Sequence, residues 1–254
     1  MILNTSSLGE GPDLVLLHGL FGAAKNLGVL ARGLSAAHRV ISLDLRNHGA
    51  SPHGAAMDFE TMAGDIAETM VSLGLEKAAV AGHSLGGKTA MMLALTRPEM
   101  VARLAVLDIA PVSYHQGYDD YVKAMQAIEL TPALTRHAAD AALAGTVPEP
   151  PMRAFLLNNL ILGAAPHWRM GLEEIANAMP DLLAWRDPAD LKPYEGQVLF
   201  LRGGESHYVQ PAAEAAIDRL FPHAIRKTVE GASHWLHADK PQQVLSDLQE
   251  FFHP

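Results

Sequence analysis

Short, nearly continuous apolar runs recur along the first 110 residues, and they restrict the fold more than any other feature. Leu14-Val15-Leu16-Leu17 runs into His18-Gly19, and Val40-Ile41-Ser42-Leu43 is closed by Arg46-Asn47-His48-Gly49. Ala78-Ala79-Val80-Ala81 ends at Gly82, and Leu104-Ala105-Val106-Leu107 ends at Asp108. Strands of this kind present apolar side chains to both faces, so both faces must be covered. That is the condition of a mostly parallel sheet between helical layers. Helical patterns do stand between the runs. Phe59, Met62, Ala63, Ile66, Ala67, Met70 and Val71 keep helical spacing, with Asp58 as N-cap and Gly74 as stop signal. Leu85 to Arg97 reads as a second helix, ended by Pro98.

The rhythm breaks at Pro111. From there to Asp190 strand signal is weak, and prolines at 132, 148, 150, 151, 166, 180 and 188 are expected to cut the segment into short helices. Alternation resumes with the strand Val198-Leu199-Phe200-Leu201, a helix near Pro211 to Leu220 and the strand Ile225 to Val229. A last amphipathic helix follows Pro241 and buries Val244, Leu245, Leu248, Phe251 and Phe252. The expected organisation is an α/β core formed by residues 1–110 and 191–254, with residues 111–190 inserted as a helical cap.

Composition narrows the class. With 254 residues, 49% hydrophobic and 19% charged, the chain can bury a core without staples, and disorder is excluded. A formal net charge of −9 argues against nucleic acid as a partner. No apolar run approaches the roughly 20 residues of a membrane span, and Met1 to Ser7 lacks the basic and apolar regions of a secretory signal. The absence of cysteine removes disulfides, thiolate metal sites and cysteine nucleophiles. A soluble, cytoplasmic protein is expected, with neither membrane nor nucleic acid as partner.

Chemistry concentrates at Gly82-His83-Ser84-Leu85-Gly86, a G-x-S-x-G between a strand and a helix. A serine raised on a sharp strand-to-helix turn needs flanks without side chains, which the glycines supply, and its hydroxyl then lies at a helix N-terminus. The same stretch through Lys88-Thr89 also fits G-x-x-x-x-G-K-[ST], a phosphate cradle, and Asp108 after an apolar strand could hold its magnesium. That reading leaves His18-Gly19 and Ser233-His234 without a role. In the nucleophile reading Lys88 and Thr89 belong to the first turn of the helix, with Lys88 snorkelling.

A serine nucleophile needs a base in hydrogen-bond reach. Of the thirteen histidines, His234 in Gly231-Ala232-Ser233-His234-Trp235 follows the last strand, where the chain returns to the carboxyl edge of the sheet. His237, expected in the following loop, is the alternative. Asp108 is the favoured acid and Glu205, in the loop after Leu201, the second choice. Backbone amides of Leu20 and Leu85 are expected to receive an oxyanion. His18 is expected to hold the Leu20 loop by hydrogen bonds. No histidine has ligand-like spacing, so no metal is expected, and the two-step acyl transfer by serine, histidine and acid calls for no cofactor.

Taken together, His18-Gly19-Leu20-Phe21-Gly22, Asp44 to Ser51, Gly82 to Lys88 and Gly231 to Trp235 resemble the α/β-hydrolase superfamily over the whole chain. Arg46-Asn47-His48-Gly49 with Ser51, and Asp108-Ile109-Ala110-Pro111, are similar to the YbfF-type bacterial esterases and their mitochondrial relatives. The resemblance implies an α/β-hydrolase fold and a Ser84-His234-Asp108 triad, because in that branch the acid follows the strand before the cap. It also implies a small-molecule acyl ester or thioester as substrate, hydrolysed through an acyl-enzyme. C–C bond cleavage and perhydrolysis use the same scaffold. Asp44, Arg46 and Asn47 are expected to shape the turn beside the elbow. Tyr114, Tyr118, Phe155, Trp168 and Trp185 are the candidates for an acyl pocket. Residues 111–190 hold five Lys/Arg against ten Asp/Glu, a poor funnel for a polyanion such as CoA, so simple esters rank first.

Overall fold

The computed structural model describes residues 1–115, 118–190 and 192–253. The strands are β1 (Thr5–Leu8), β2 (Asp13–Leu17), β3 (Arg39–Leu43), β4 (Ala78–His83), β5 (Val101–Leu107), β6 (Leu160–Ile161), β7 (His167–Trp168), β8 (Gln197–Gly203) and β9 (Ala224–Val229). The helices are α1 (Gly28–Leu34), α2 (Phe59–Ser72), α3 (Leu85–Thr96), α4 (Asp119–Gln126), α5 (Arg136–Leu143), α6 (Pro150–Leu157), α7 (Leu172–Leu183), α8 (Glu214–Leu220), α9 (Leu236–Asp239) and α10 (Pro241–Phe252).

Seven of the strands form one sheet in the order β1-β3-β2-β4-β5-β8-β9. Edge strand β1 runs antiparallel to β3, and the remaining pairs are parallel. The chain leaves β2 toward one side of the sheet and, after β4, continues toward the other. The carboxyl ends of β2 and β4 therefore border the crevice where open α/β sheets place their ligands. The His18 loop and Ser84 stand at those two ends.

Alternate residues of each strand feed opposite layers. Leu14, Leu16, Val40, Ala105, Leu107, Leu199 and Leu201 pack with Leu30 and Leu34 of α1 and with Val244, Leu248 and Phe252 of α10. Val15, Leu17, Ile41, Val80, Leu104, Val106, Val198 and Phe200 pack with α2 and α3, and this cluster runs on into the segment between β5 and β8. That segment holds α4 to α7 and the β6–β7 hairpin, and contributes Met125, Leu143, Leu156, Ile175 and Met179 to the cluster. At the start of α2, Asp58 accepts from the Thr61 amide, the cap the sequence places there.

Two elements escape the sequence reading, and two local expectations need correction. Thr5–Leu8 pairs as a strand although it is mostly exposed, because an edge strand needs ladder partners and no apolar face. Seven-residue α1, with a glycine inside it, carries too little periodicity to be read as a helix. Pro180 does not end α7, which continues to Leu183 past the missing amide. His237 lies in α9, a single helical turn, instead of a loop. Among the described residues no helix is long and apolar enough to cross a membrane.

Candidate active site

Ser84 sits between β4 and α3 with φ +52° and ψ −115°, a left-handed backbone that only a tightly constrained turn imposes on a serine. A Cβ on Gly82 would lie 2.2 Å from the Gly86 carbonyl oxygen, and one on Gly86 would lie 2.4 Å from the Leu17 oxygen. Both obstacles are backbone, so the turn closes only with glycine at these positions. The Ser84 amide donates to the Leu107 oxygen at 3.0 Å, tying the turn to β5.

The structure brings three distant side chains to one point. His234 Nε2 lies 3.0 Å from Ser84 Oγ, and its Nδ1 lies 2.7 Å from Asp108 Oδ2. Asp108 is fully buried at the end of β5 and has φ +52°. The Gly203 amide donates to its Oδ1 at 2.7 Å, and the Ser206 hydroxyl donates to its Oδ2. An acceptor-only carboxylate facing Nδ1 selects the imidazole tautomer with its proton there, leaving Nε2 to accept from the serine. Glu205 is exposed, its amide held by the Ala232 oxygen, and makes no bond to His234. His237 lies behind His83, with ring centroids 4.5 Å apart, and burial followed by the proximity of His234 pushes its pKa down to about 4.

Sequence reading missed the groups that hold the imidazole. Tyr208 stacks on the His234 ring at 3.8 Å and 20°. Buried His83 donates from Nε2 to the His234 carbonyl oxygen at 2.8 Å. Ser206 and Tyr208 flank His207, in the loop where sequence offers Glu205 as the alternative acid. His83 is the unconstrained x of G-x-S-x-G, so motif spacing says nothing about it.

The loop after β2 is held by two neutral imidazoles. His18 donates from Nδ1 to the Gly19 oxygen at 2.8 Å and accepts the Leu45 amide at Nε2, as its expected structural role requires. His48 donates from Nδ1 to the Arg46 oxygen and accepts the Phe21 amide at Nε2, 3.1 Å away. Each ring uses both nitrogens in this way only when uncharged, and burial drives both pKa values down, that of His48 to about 3. Asn159, from the inserted segment, donates to the Phe21 oxygen at 2.8 Å. Gly22 closes a turn onto Gly19, Phe21 adopts φ +61°, and Leu20 and Leu85 line one cavity with Ser84. Asp44 accepts from the Ala24 and Ala50 amides, Arg46 pairs with Asp65, and Asn47 adopts φ +63°, so these three shape the neighbouring turn.

Two cavities flank Ser84. One, of about 450 Å³, extends past His234 toward Phe155 and Trp235, and beyond it opens a groove of about 1170 Å³ walled by Tyr121, Met152 and Phe155. The other, of about 460 Å³, runs over α3 beneath Tyr114, Leu182 and Leu183. Tyr118 lines all three spaces. Trp168 and Trp185 line neither cavity at Ser84, which corrects the expectation for them. Trp168 pairs with Leu160 in the β6–β7 hairpin, whereas Trp185 backs Phe59 at 6.1 Å and donates its indole N–H to Asp187.

The phosphate-cradle reading fails on geometry. Lys88 is 2% exposed, with its ammonium directed to the Leu183 and Ala184 oxygens at 3.4 and 3.3 Å, and the Thr89 hydroxyl donates to the Leu85 oxygen. The Thr89 hydroxyl is therefore spent within α3 and not offered to a phosphate-bound cation, and Lys88, buried under the end of α7, does not snorkel.

Comparison with known proteins agrees with this architecture. A family model described as alpha/beta hydrolase fold matches residues 12–241. The chain is 41% identical over 249 residues to the mouse sn-1-specific diacylglycerol lipase ABHD11, covering 94% of this chain and 80% of that protein. It is 35% identical to Esterase YbfF of Escherichia coli K12, covering 94% of this chain and 92% of the relative. A solved marine microorganism esterase superposes with a TM-score of 0.95 at 33% identity, covering 99% of both chains. With most of its length matched by the family model and relatives well above 30% identity along nearly all of it, the chain belongs to the α/β-hydrolase family.

Proposed function

We propose that this chain is a carboxylic ester hydrolase in which Ser84 is the nucleophile, His234 the general base and Asp108 the group that orients it. The observation that carries the reading is the unbroken relay from Ser84 Oγ to His234 Nε2 at 3.0 Å and from Nδ1 to Asp108 Oδ2 at 2.7 Å. Ser84 attacks the ester carbonyl while His234 takes its proton, and the same proton then goes to the departing alcohol. The Leu20 and Leu85 amides receive the oxyanion. Water repeats the sequence on the acyl-enzyme, releasing the acid and regenerating the serine.

Residues 111–190 act as the cap, roofing both cavities with Tyr114, Tyr118 and Phe155. Glu149 and Asp239 edge the larger groove, which favours uncharged leaving groups over polyanionic thioesters. The relatives named as an esterase and a diacylglycerol lipase support the same ranking. Short to medium acyl esters are therefore the expected substrates. A fluorophosphonate probe tests the assignment. Stoichiometric labelling at Ser84, lost together with ester hydrolysis in Ser84→Ala, is the expected result. Hydrolysis that survives Ser84→Ala would overturn it.

A further inference from the structure

We propose that Lys88 makes this site selective for esters whose acyl chain ends in a carboxylate, namely half-esters of short dicarboxylic acids. The proposal rests on the reading of Ser84 as nucleophile and adds the class of acyl group. Lys88 and Ser84 line the same cavity, whose other walls are largely apolar or aromatic. The lysine is almost wholly buried. Its ammonium lies 5.1 Å from the Phe59 ring centroid and 4.7 Å from that of Tyr114. Its hydrogen bonds go to two carbonyls at the end of α7, and both are long, at 3.4 and 3.3 Å. Among the described residues no carboxylate lies within ion-pair distance of it.

A buried ammonium has three donors and a charge that is costly to leave uncompensated. Two long carbonyl contacts and two ring faces satisfy it only in part, and burial accordingly lowers its pKa to about 7. An aliphatic acyl chain laid against that group would return it neither a hydrogen bond nor a counter-charge. A terminal carboxylate returns an ion pair and a charge-assisted hydrogen bond. Position sets the length. Lys88 stands one turn of α3 beyond Ser84 and lines the same cavity, so a short diacid, of about four or five carbons, is the class to place between Ser84 and Nζ. The net charge of −9 does not exclude such a substrate, because repulsion from exposed charges is screened within about 8 Å at physiological salt, whereas this contact is internal.

The test compares monoethyl glutarate with ethyl valerate, and monoethyl succinate with ethyl butyrate, by pH-stat on the intact protein. Each pair shares its leaving group and chain length and differs only in the terminus. Wild type is expected to favour the carboxylated ester by about tenfold or more in kcat/KM, and K88M to reverse the order. Free glutarate is expected to inhibit ethyl valerate hydrolysis competitively in wild type. If Lys88 merely fastened the end of α7, K88M would lower both rates and leave their ratio within about threefold, which would overturn the proposal. Wild-type preference for the neutral ester, without inhibition by glutarate, would also overturn it, and this readout needs no variant to fold. Turnover of neutral esters alone leaves the ester-hydrolase reading intact while removing this one, whereas no turnover of either pair removes both.

Discussion

Consider Asp108→Asn, which keeps the volume of the side chain and removes its charge. Oδ1 faces the Gly203 amide at 2.7 Å, while Oδ2 faces His234 Nδ1 at 2.7 Å and the Ser206 hydroxyl. An amide has oxygen for one of these sides only. Turning its NH₂ toward Gly203 sets donor against donor in a fully buried place, at a cost of about 1–3 kcal/mol. The oxygen therefore stays on Gly203, and the NH₂ points at the imidazole. His234 can accept that proton only at Nδ1, so its own proton moves to Nε2. Nε2 then donates to Ser84 and can no longer act as its base. The loss of the correct tautomer is expected to lower kcat about 10⁴-fold, or about 5 kcal/mol of activation free energy. Steady-state kinetics on p-nitrophenyl butyrate measure it, with a thermal melt to show that the fold persists. KM and Tm should change little, and Glu205→Gln should behave as wild type because that side chain is exposed and apart from the site. Retention of more than about a tenth of wild-type kcat by Asp108→Asn would refute the tautomer argument. A larger loss in Glu205→Gln would transfer the acid to the loop after β8.

Three further outcomes are expected. Because burial holds the folded pKa of His48 at about 3 and of His237 at about 4, the unfolded chain binds protons below about pH 6.5 that the folded chain refuses. Stability should therefore fall as pH drops from about 6.5 toward those values, and a urea midpoint equal at about pH 7 and about pH 5 would contradict this. Gly86→Ala places a Cβ 2.4 Å from the Leu17 oxygen and 2.6 Å from the His18 oxygen. It should cost about 1–3 kcal/mol or more with loss of activity, and an unchanged Tm would disprove the steric account. Asn159→Ala leaves the Phe21 carbonyl without its donor, at about 1–3 kcal/mol. Because Phe21 follows Leu20, whose amide is the proposed oxyanion donor, kcat should fall while KM holds; the opposite split would detach Asn159 from that role.

Much of the sheet was legible because parallel strands must be apolar on both faces, and four-residue runs of that kind have few other uses in a globular chain. Val15 and Leu17 enter one layer and Leu14 and Leu16 the other, so the run at Leu14 to Leu17 carried information about both. Thr5–Leu8 carried none, since its place is secured by backbone pairing to β3. The prolines of the inserted segment misled for a related reason. Pro180 removes one amide near the end of α7, and packing of Ile175, Met179 and Leu182 outweighs that loss.

In the site, legibility followed backbone strain. Ser84 needs glycine on both sides because neighbouring backbone lies within 2.4 Å of any added Cβ, so the requirement is written locally as a motif. His234 and Asp108 could be placed because each ends or follows a strand at the carboxyl edge. Tyr208 and Ser206 impose no local geometry; they act through a ring face at 3.8 Å and a hydroxyl, and any loop of that length could carry them. Lys88 is the extreme case. In sequence it is a charged residue on the first turn of a helix, for which solvent is the default neighbour. What encloses it is the end of α7, 95 residues away. A covering element so distant leaves no periodicity at position 88, so a buried charge facing the nucleophile's cavity becomes visible only when the inserted segment is laid over the sheet. The proposed triad is thus readable from local constraint, whereas the proposed acyl-group contact depends on the distant segment between β5 and β8.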